Sequence, residues 1–343
     1  MLYLPYIKII SRGGINLIKA FLKIDSDAIL HKCPICGKKS FLINENDTSF
    51  LCFGCMNSGN LDYLKIKLGK PVEFAPKTEN ERLFALNKEA AFYFKNALNH
   101  YEEAKKYLIE NRGMTQETIN EFGLGYANPD WTSAKQYLMS KGYTEDELVD
   151  AGILFKSNKN GKTYDFYRGR IMFPIKDSFG RIIGFSGRIL ETVETKAQAD
   201  GEKKKNPKYI NTNENDVFHK REGFYNIEHF DATENYILLC EGQMDTIAFY
   251  TGGIANAVAT LGTALTPTQA CIIKSLVDIV YIAFDGDNAG ESAANKAVDL
   301  LRDAGIKDIR RVYCIAGSKD PDEVLKNHGT EGLKKMMQDY KKI

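Results

Sequence analysis

The chain has 343 residues, 46 Lys/Arg against 45 Asp/Glu and a hydrophobic fraction of 43%, which suits a globular protein of roughly two or three cores. A net charge of +1 gives by itself no sign of a polyanionic partner, and the absence of any run of about 18 apolar residues excludes a membrane-spanning helix. Seven cysteines, four of them in CxxC pairs, favour metal binding over disulfides and a reducing, cytoplasmic setting.

Met1–Ile10 is apolar but lacks a charged start and a small-residue cleavage site, so it reads as a structural element rather than a signal peptide. Cys33-Pro-Ile-Cys36 and Cys52-Phe-Gly-Cys55 follow, 15 residues apart, with Gly37 and Gly54 beside them. That spacing fits one structural zinc held on two knuckle turns. Ser40–Asn44 and Ser49–Phe53 are predicted to pair as a hairpin about a turn at Asn44–Asp47, and a helix is predicted from Asn60, burying Leu61, Leu64 and Leu68. Phe41, Phe50 and Phe53 are expected mostly to fill this small core. Residues 71–80 read as a linker broken by Pro71 and Pro76. From Glu81 to Asn111, Leu83, Leu86, Ala90, Phe94 and Leu98 recur at helical spacing, with Gly113 as C-cap. Arg170–Ile175 and Arg181–Phe185 predict strands flanking a turn at Asp177–Gly180, and Glu191–Asn206 reads as a polar, Lys-rich mobile loop.

From Asn235 onward, apolar strands (236–240, 257–261, 279–284, 309–315) alternate with helical stretches (243–251, 267–276, 290–304), the pattern of a parallel sheet covered on both faces. Glu241 ends the first strand, with Asp245 in the next helix; Asp285 and Asp287 follow the third; Asp320 and Asp322 follow the fourth. All emerge at the carboxyl edge, where such sheets bind ligands. Clustered carboxylates repel one another unless cations lie between them, and oxygen ligands select Mg²⁺ or Mn²⁺. The charge distribution agrees: residues 156–221 hold 15 Lys/Arg against 8 Asp/Glu, and residues 231–343 hold 12 against 16. Phosphates are thus expected at the middle of the chain and divalent cations at its end. Cys240, Cys271 and Cys314 read as core residues, and His31, His100, His219, His229 and His328 as bystanders.

These stretches resemble the DnaG-type primase family. The resemblance is carried by Glu241-Gly-Gln-Met-Asp245, Ala257–Thr266, Asp285-Gly-Asp-Asn-Ala-Gly290 and Asp320-Pro-Asp-Glu323, which match its TOPRIM signature in order and spacing. It is carried further by the cysteine module through Asn60, Arg112-Gly-Met-Thr, Phe122–Tyr126, Arg170–Lys176, Gly187-Arg188 and Lys208–Asn211. The resemblance implies an α/β and α+β multidomain protein: a zinc ribbon at 1–70, a linker at 71–80, a mixed α/β basic subdomain at 81–230 and a TOPRIM parallel α/β subdomain at 231–343. It implies metal-binding or catalytic roles for Glu241, Asp245, Asp285, Asp287, Asp320 and Asp322, with Glu241 as ligand or general base. Template or nucleotide contacts are implied for Arg112, Arg168, Arg170, Arg188, Lys208, Tyr209, Asn211 and Lys220, and zinc ligation for Cys33, Cys36, Cys52 and Cys55.

The family's usual zinc set is three cysteines and one histidine, whereas Cys36 stands at the histidine position, so the favoured template triplet is open. The chain also ends about twenty residues after Asp322, short of the family's helicase-binding domain. A compact primase of a phage or mobile element is therefore expected, monomeric, with any helicase contact non-classical. The implied activity is synthesis of short RNA primers from ribonucleoside triphosphates on single-stranded DNA, with one structural Zn²⁺ and two or more Mg²⁺ or Mn²⁺. The rivals are a nuclease or topoisomerase on the same fold and a non-catalytic single-strand-binding protein. The topoisomerase would need a nucleophilic-tyrosine domain, which no segment supplies.

Overall fold

The computed structural model describes residues 18–24, 30–43, 49–60, 64, 67–68, 79–190, 207–262 and 264–343. The expected apolar N-terminal element, the Asn44–Asp47 turn, residues 71–78 of the linker and the Glu191–Asn206 loop lie outside them, while the last two linker residues, Glu79 and Asn80, are corrected to the start of a helix.

After the short helix α1 (Ile18–Leu22), the cysteine module is a four-stranded antiparallel sheet in the order β1 (His31–Lys32), β2 (Lys39–Ile43), β3 (Ser49–Cys52), β4 (Ser58–Asn60). The predicted hairpin is present, with Phe41 opposite Cys52 and Ile43 opposite Phe50. Only the start of the helix predicted from Asn60 is corrected: Ser58–Asn60 runs back along the open edge of β3 as a strand, Leu51 pairing with Ser58, and of the described residues beyond it Leu64 and Lys67 are helical. Leu64 still reaches the small core, where Phe41 and Phe50 stack at 4.8 Å.

In the central region, α2 (Glu79–His100) buries Leu86, Ala90, Phe94 and Leu98 on one stripe, each large side chain contributing about 2 kcal/mol. The predicted long helix breaks at Tyr101 and resumes as α3 (Glu102–Lys106) and a π-turn (Tyr107–Asn111), before Gly113 reverses it at φ +64°. Then come α4 (Gln116–Glu121), β5 (Gly125–Ala127), α5 (Ser133–Ser140), α6 (Glu145–Asp150), β6 (Leu154–Lys156), β7 (Thr163–Asp165), β8 (Arg170–Lys176), β9 (Ile182–Ile189) and β10 (Tyr209–Asn211). Strands β10-β9-β8-β5 form an antiparallel sheet, and β6 pairs with β7. Gly125 is required where β5 crosses α2, because a Cβ there would lie 2.6 Å from Phe94.

The last region is β11 (Tyr236–Cys240), α7 (Gln243–Thr251), β12 (Ala257–Ala259), α8 (Pro267–Leu276), β13 (Ile279–Ala283), α9 (Asn288–Asp303), β14 (Asp308–Arg311), α10 (Pro321–Gln338) and β15 (Lys341–Lys342). The order is β12-β11-β13-β14-β15. The first four strands are parallel as expected; β15 closes the edge antiparallel to β14. Start signals fix the helices. Thr266 and Gln269 form a capping box around Pro267 at the head of α8. One face of the sheet packs on α8 and α9. The other face packs on α7 and α10 and merges with Phe122, Ile171, Phe173 and Tyr225 of the basic subdomain into one continuous core. That shared core holds the basic and acidic regions in fixed register. Cys271 is corrected from the core to the surface: α8 buries Gln269, Ala270 and Ile273 and turns Cys271 outward. Among the described residues no helix is long and apolar enough to cross a membrane.

Candidate functional site

The four knuckle sulfurs of Cys33, Cys36, Cys52 and Cys55 all lie within 4.8 Å of one another. Cys33 Sγ is 3.9 Å from Cys55 Sγ, and Cys36 Sγ is 3.7 Å from Cys52 Sγ. Thiolates bound tetrahedrally at about 2.3 Å from one zinc stand about 3.8 Å apart, so the donor set fits that ion. The knuckles point amides at the sulfurs, as such turns do: Ile35 N donates to Cys33 Sγ and Gly54 N to Cys52 Sγ, each at 3.3 Å. Ser40 Oγ and Asn57 Nδ2 add contacts to Cys52 and Cys55.

The acidic centre is built differently. Glu241 follows β11 directly, and its Oε1 accepts from Asp285 N at 2.9 Å. Gly290, in the first turn of α9, packs so closely that a Cβ would lie 2.6 Å from Glu241 Oε1 and 2.3 Å from Asp285 O. Asp287 and Asp320 cap α9 and α10, accepting from Gly290 N at 2.7 Å and Glu323 N at 2.8 Å. Asp245, in the first turn of α7, and Asp322 are buried.

These carboxylates feel one another. Burial, then Asp285, Asp320, Asp322 and Glu241, push Asp245 well above the ordinary carboxylate range. Burial, then Glu241, Asp320 and Asp287, push Asp285 up to about 6, against the pull of Lys208. Burial raises Glu241 and Asp322 as well. Half-buried oxygen donors that repel one another have the chemistry to take a hard divalent cation, which would remove the repulsion.

The basic side faces this centre. Arg112 donates Nε to Tyr107 Oη at 2.8 Å and Nη1 to Asp322, crossing from one subdomain to the other. Arg188 donates to Tyr209 Oη at 2.8 Å and lies over the Tyr107 and Tyr209 rings. Burial pushes Tyr209 up to about 12. Asn211 donates Nδ2 to Leu261 O at 3.0 Å, tying β10 to the loop after β12. Lys208 is exposed and Lys220 half-buried.

Two arginines behave differently from the rest. Arg170 occupies an inward position of a strand covered on both faces. It donates to Gly187 O at 2.9 Å, Lys208 O at 3.3 Å and Pro207 O at 3.0 Å. These bonds hold the backbone that carries Lys208. Arg168 is half-buried, its guanidinium 4.0 Å from the Trp131 ring centre and 5.4 Å from that of Phe155. Trp131, 56% exposed, also meets Tyr164 edge-on at 5.2 Å. Sequence reasoning missed this aromatic group. Its one signal was the chain's single tryptophan, set after Asn128-Pro129-Asp130.

A parallel-sheet acidic centre, fused through one core to a basic antiparallel subdomain and preceded by a four-cysteine ribbon, defines a protein of the TOPRIM class. Family comparison agrees. Residues 92–231 match the DNA primase catalytic core, N-terminal domain, and residues 238–325 match a Toprim-like domain. The DNA primase of Clostridium acetobutylicum is 35% identical over 334 residues, covering 89% of this chain and 53% of that protein. The DNA primase of Pseudomonas aeruginosa is 33% identical, covering 88% and 49%. Among solved structures, the zinc-binding and RNA polymerase domains of Aquifex aeolicus primase superpose with a TM-score of 0.67 at 27% identity, covering 96% of this chain and 84% of that one. A DNA primase domain from Pseudomonas aeruginosa gives a TM-score of 0.65 at 34% identity, covering 76% and 79%. The chain belongs to the DnaG-type primase family. It spans about half the length of the curated relatives it matches.

Proposed function

We propose that this chain is a DNA primase, joining ribonucleoside triphosphates on a single-stranded DNA template into short RNA primers for replication. The observation that carries the reading is the juxtaposition of Asp245, Asp285, Asp320 and Asp322 with Arg112 and Lys208 across one continuous core. In the reaction the 3′-hydroxyl oxygen bonds to the α-phosphorus of the incoming triphosphate as its proton passes to solvent water, the bond from that phosphorus to the bridging oxygen breaks, and pyrophosphate leaves. Mg²⁺ or Mn²⁺, when bound, supplies Lewis acidity for that displacement.

The chain's own residues do the rest. Asp285, Asp287, Asp320 and Asp322 would hold the cations. Glu241, with Oε1 engaged by the Asp285 amide, serves on the metal side rather than as general base. Arg112, Arg188 and Lys208 neutralise the triphosphate and Tyr209 orients Arg188. Asn211 and Lys220 border the nucleotide. Trp131 with Arg168 forms a stacking platform for template bases, which single-strand grooves use without reading sequence. One Zn²⁺ on Cys33, Cys36, Cys52 and Cys55 folds the ribbon. The working units are residues 1–70, 81–230 and 231–343, in a cytoplasmic monomer.

The test is labelled-ribonucleotide incorporation on single-stranded DNA templates with Mg²⁺ or Mn²⁺. Wild type is expected to give short RNA products, and Asp285→Asn to lose about 10²–10³-fold in kcat. Single-strand binding without product on any template would replace the polymerase reading with a binding protein.

A further inference from the structure

Arg311 is among the largest fully buried side chains of the protein, 2% exposed. It ends β14, beside Ile282 of β13. Strand alternation puts it on the sheet face covered by α8 and α9, in line with Ile309. Two residues beyond Leu239 on that same face stands Glu241. The guanidinium lies 5.5 Å from the Tyr313 ring centre and 6.0 Å from that of Phe284, the residue before Asp285. Nη2 donates to Glu291 Oε2 at 3.0 Å, in the first turn of α9. Nε and Nη1 have no acceptor among the described residues.

Stability of the fold does not explain this residue. A buried donor left unpaired costs about 1–3 kcal/mol, and an apolar side chain of similar volume would fill the position at lower cost. What the position gains from a guanidinium is a fixed positive charge on the α8/α9 face of the sheet, behind the strand ends that carry Glu241 and Asp285. Its field acts on Glu241 in favour of the carboxylate. Among the described residues Glu241 is otherwise held by the Asp285 amide and by the closeness of Gly290.

We propose that Arg311 is a positioning residue for Glu241: from behind the sheet it fixes that carboxylate between β13 and the first turn of α9, ready for the cation. The proposal rests on the metal-dependent polymerase reading above. The two free N–H groups give Glu241 a second hold when a cation draws the acids together. Glu291 braces the guanidinium from the helix side. Arg311 touches neither substrate nor metal and acts through Glu241 alone.

A double-mutant cycle separates this role from packing and from bulk charge. Mn²⁺ binding to the full chain is measured calorimetrically, without nucleotide or template, for wild type, Arg311→Lys, Arg311→Met, Glu241→Gln and the two doubles. Thermal melting checks folding, and Arg311→Lys, which keeps the charge but not the planar fork, carries the cycle if Arg311→Met does not fold. Each Arg311 variant is expected to weaken Mn²⁺ binding about 10-fold, the size usual for residues that orient a metal ligand. In the Glu241→Gln background the same change is expected to have no further effect.

Additive losses would overturn the proposal, because Arg311 would then act through something other than Glu241. Tighter binding in Arg311→Met, the result of simply removing a positive charge, would overturn it too, as would wild-type behaviour of Arg311→Lys. Wild type that binds no Mn²⁺ sinks the metal reading and this proposal together. Wild type that shows the coupling yet makes no primers removes the polymerase reading and leaves the assignment of Arg311 standing.

Discussion

The two metal-binding regions of this chain are opposites in construction. In the cysteine ribbon, four sulfurs already stand within one coordination sphere, each knuckle is set by amides pointing at sulfur, and the surrounding core is small. In the TOPRIM centre, the carboxylates come from three strand ends and are kept apart by other duties. Asp287 and Asp320 cap helices, Asp322 holds Arg112, and Glu241 accepts from an amide. On the proposed reading the ribbon folds around its zinc, whereas the acidic centre gathers carboxylates whose mutual repulsion a cation would relieve. A closed thiolate set suits a structural ion, and a loosely gathered oxygen set with spare charge suits ions that arrive with substrate.

The largest effect that tests this contrast is metal removal. Stripping zinc with a chelator is expected to unfold residues 30–60, since a ribbon zinc supplies on the order of 10 kcal/mol and the ribbon core is only a few side chains. The melting transition of residues 79–343 is expected to stay where it was. Hydrogen exchange read by region checks both halves; a core that melts with the ribbon would mean the two fold as one.

The contrast also explains what could be read from the sequence. Zinc ligation is local, two CxxC turns at fixed spacing, and the helices of the TOPRIM half announced themselves through Pro267 and the strand–helix alternation. The acids were legible because each lies between the end of an apolar strand and the first turn of the helix that follows it. Three features were not legible because they depend on packing between distant segments. Arg170 and Arg168 are identical as letters, but only the fold turns one onto backbone carbonyls and the other onto Trp131. Ser58–Asn60 carries no strand signal and is a strand because β3 offers a free edge. The pairing of Arg112 with Asp322 spans 210 positions, beyond any spacing rule.

That pair gives the next effect. Arg112 and Asp322 are both largely covered, at 22% and 8% side-chain exposure. Arg112→Met leaves a buried carboxylate without its partner, and a loss of about 3 kcal/mol is expected in denaturant unfolding. Adding Asp322→Asn is expected to restore most of it while primer synthesis stays low. Full additivity of the two changes would show that the pair does not join the subdomains. Smaller again is Trp131→Ala, expected to cost about 1–3 kcal/mol in single-stranded DNA affinity and to leave Mn²⁺ binding unchanged. A shift in Mn²⁺ binding instead would place the aromatic group in the acidic centre's business rather than the template's.

The smallest effect is one of pH, and it reads the stored repulsion directly. Asp285 sits at about 6 in the folded, metal-free chain, against about 3.9 for an unfolded aspartate. Between those values the folded state binds more protons than the unfolded one, so this group's contribution to stability falls as pH rises through the window. The cost is absent below the unfolded value and complete above about 6. Asp285→Asn removes it. Without metal, the variant is therefore expected to melt higher than wild type at pH 7.5, with the gap closing as pH is lowered towards 4. Adding Mn²⁺ at pH 7.5 is expected to reverse the order, since only wild type keeps the full carboxylate set. A gap between the two proteins that does not change with pH would mean that Asp285 is not held among like charges, and the difference drawn between the two metal centres would lose its physical basis.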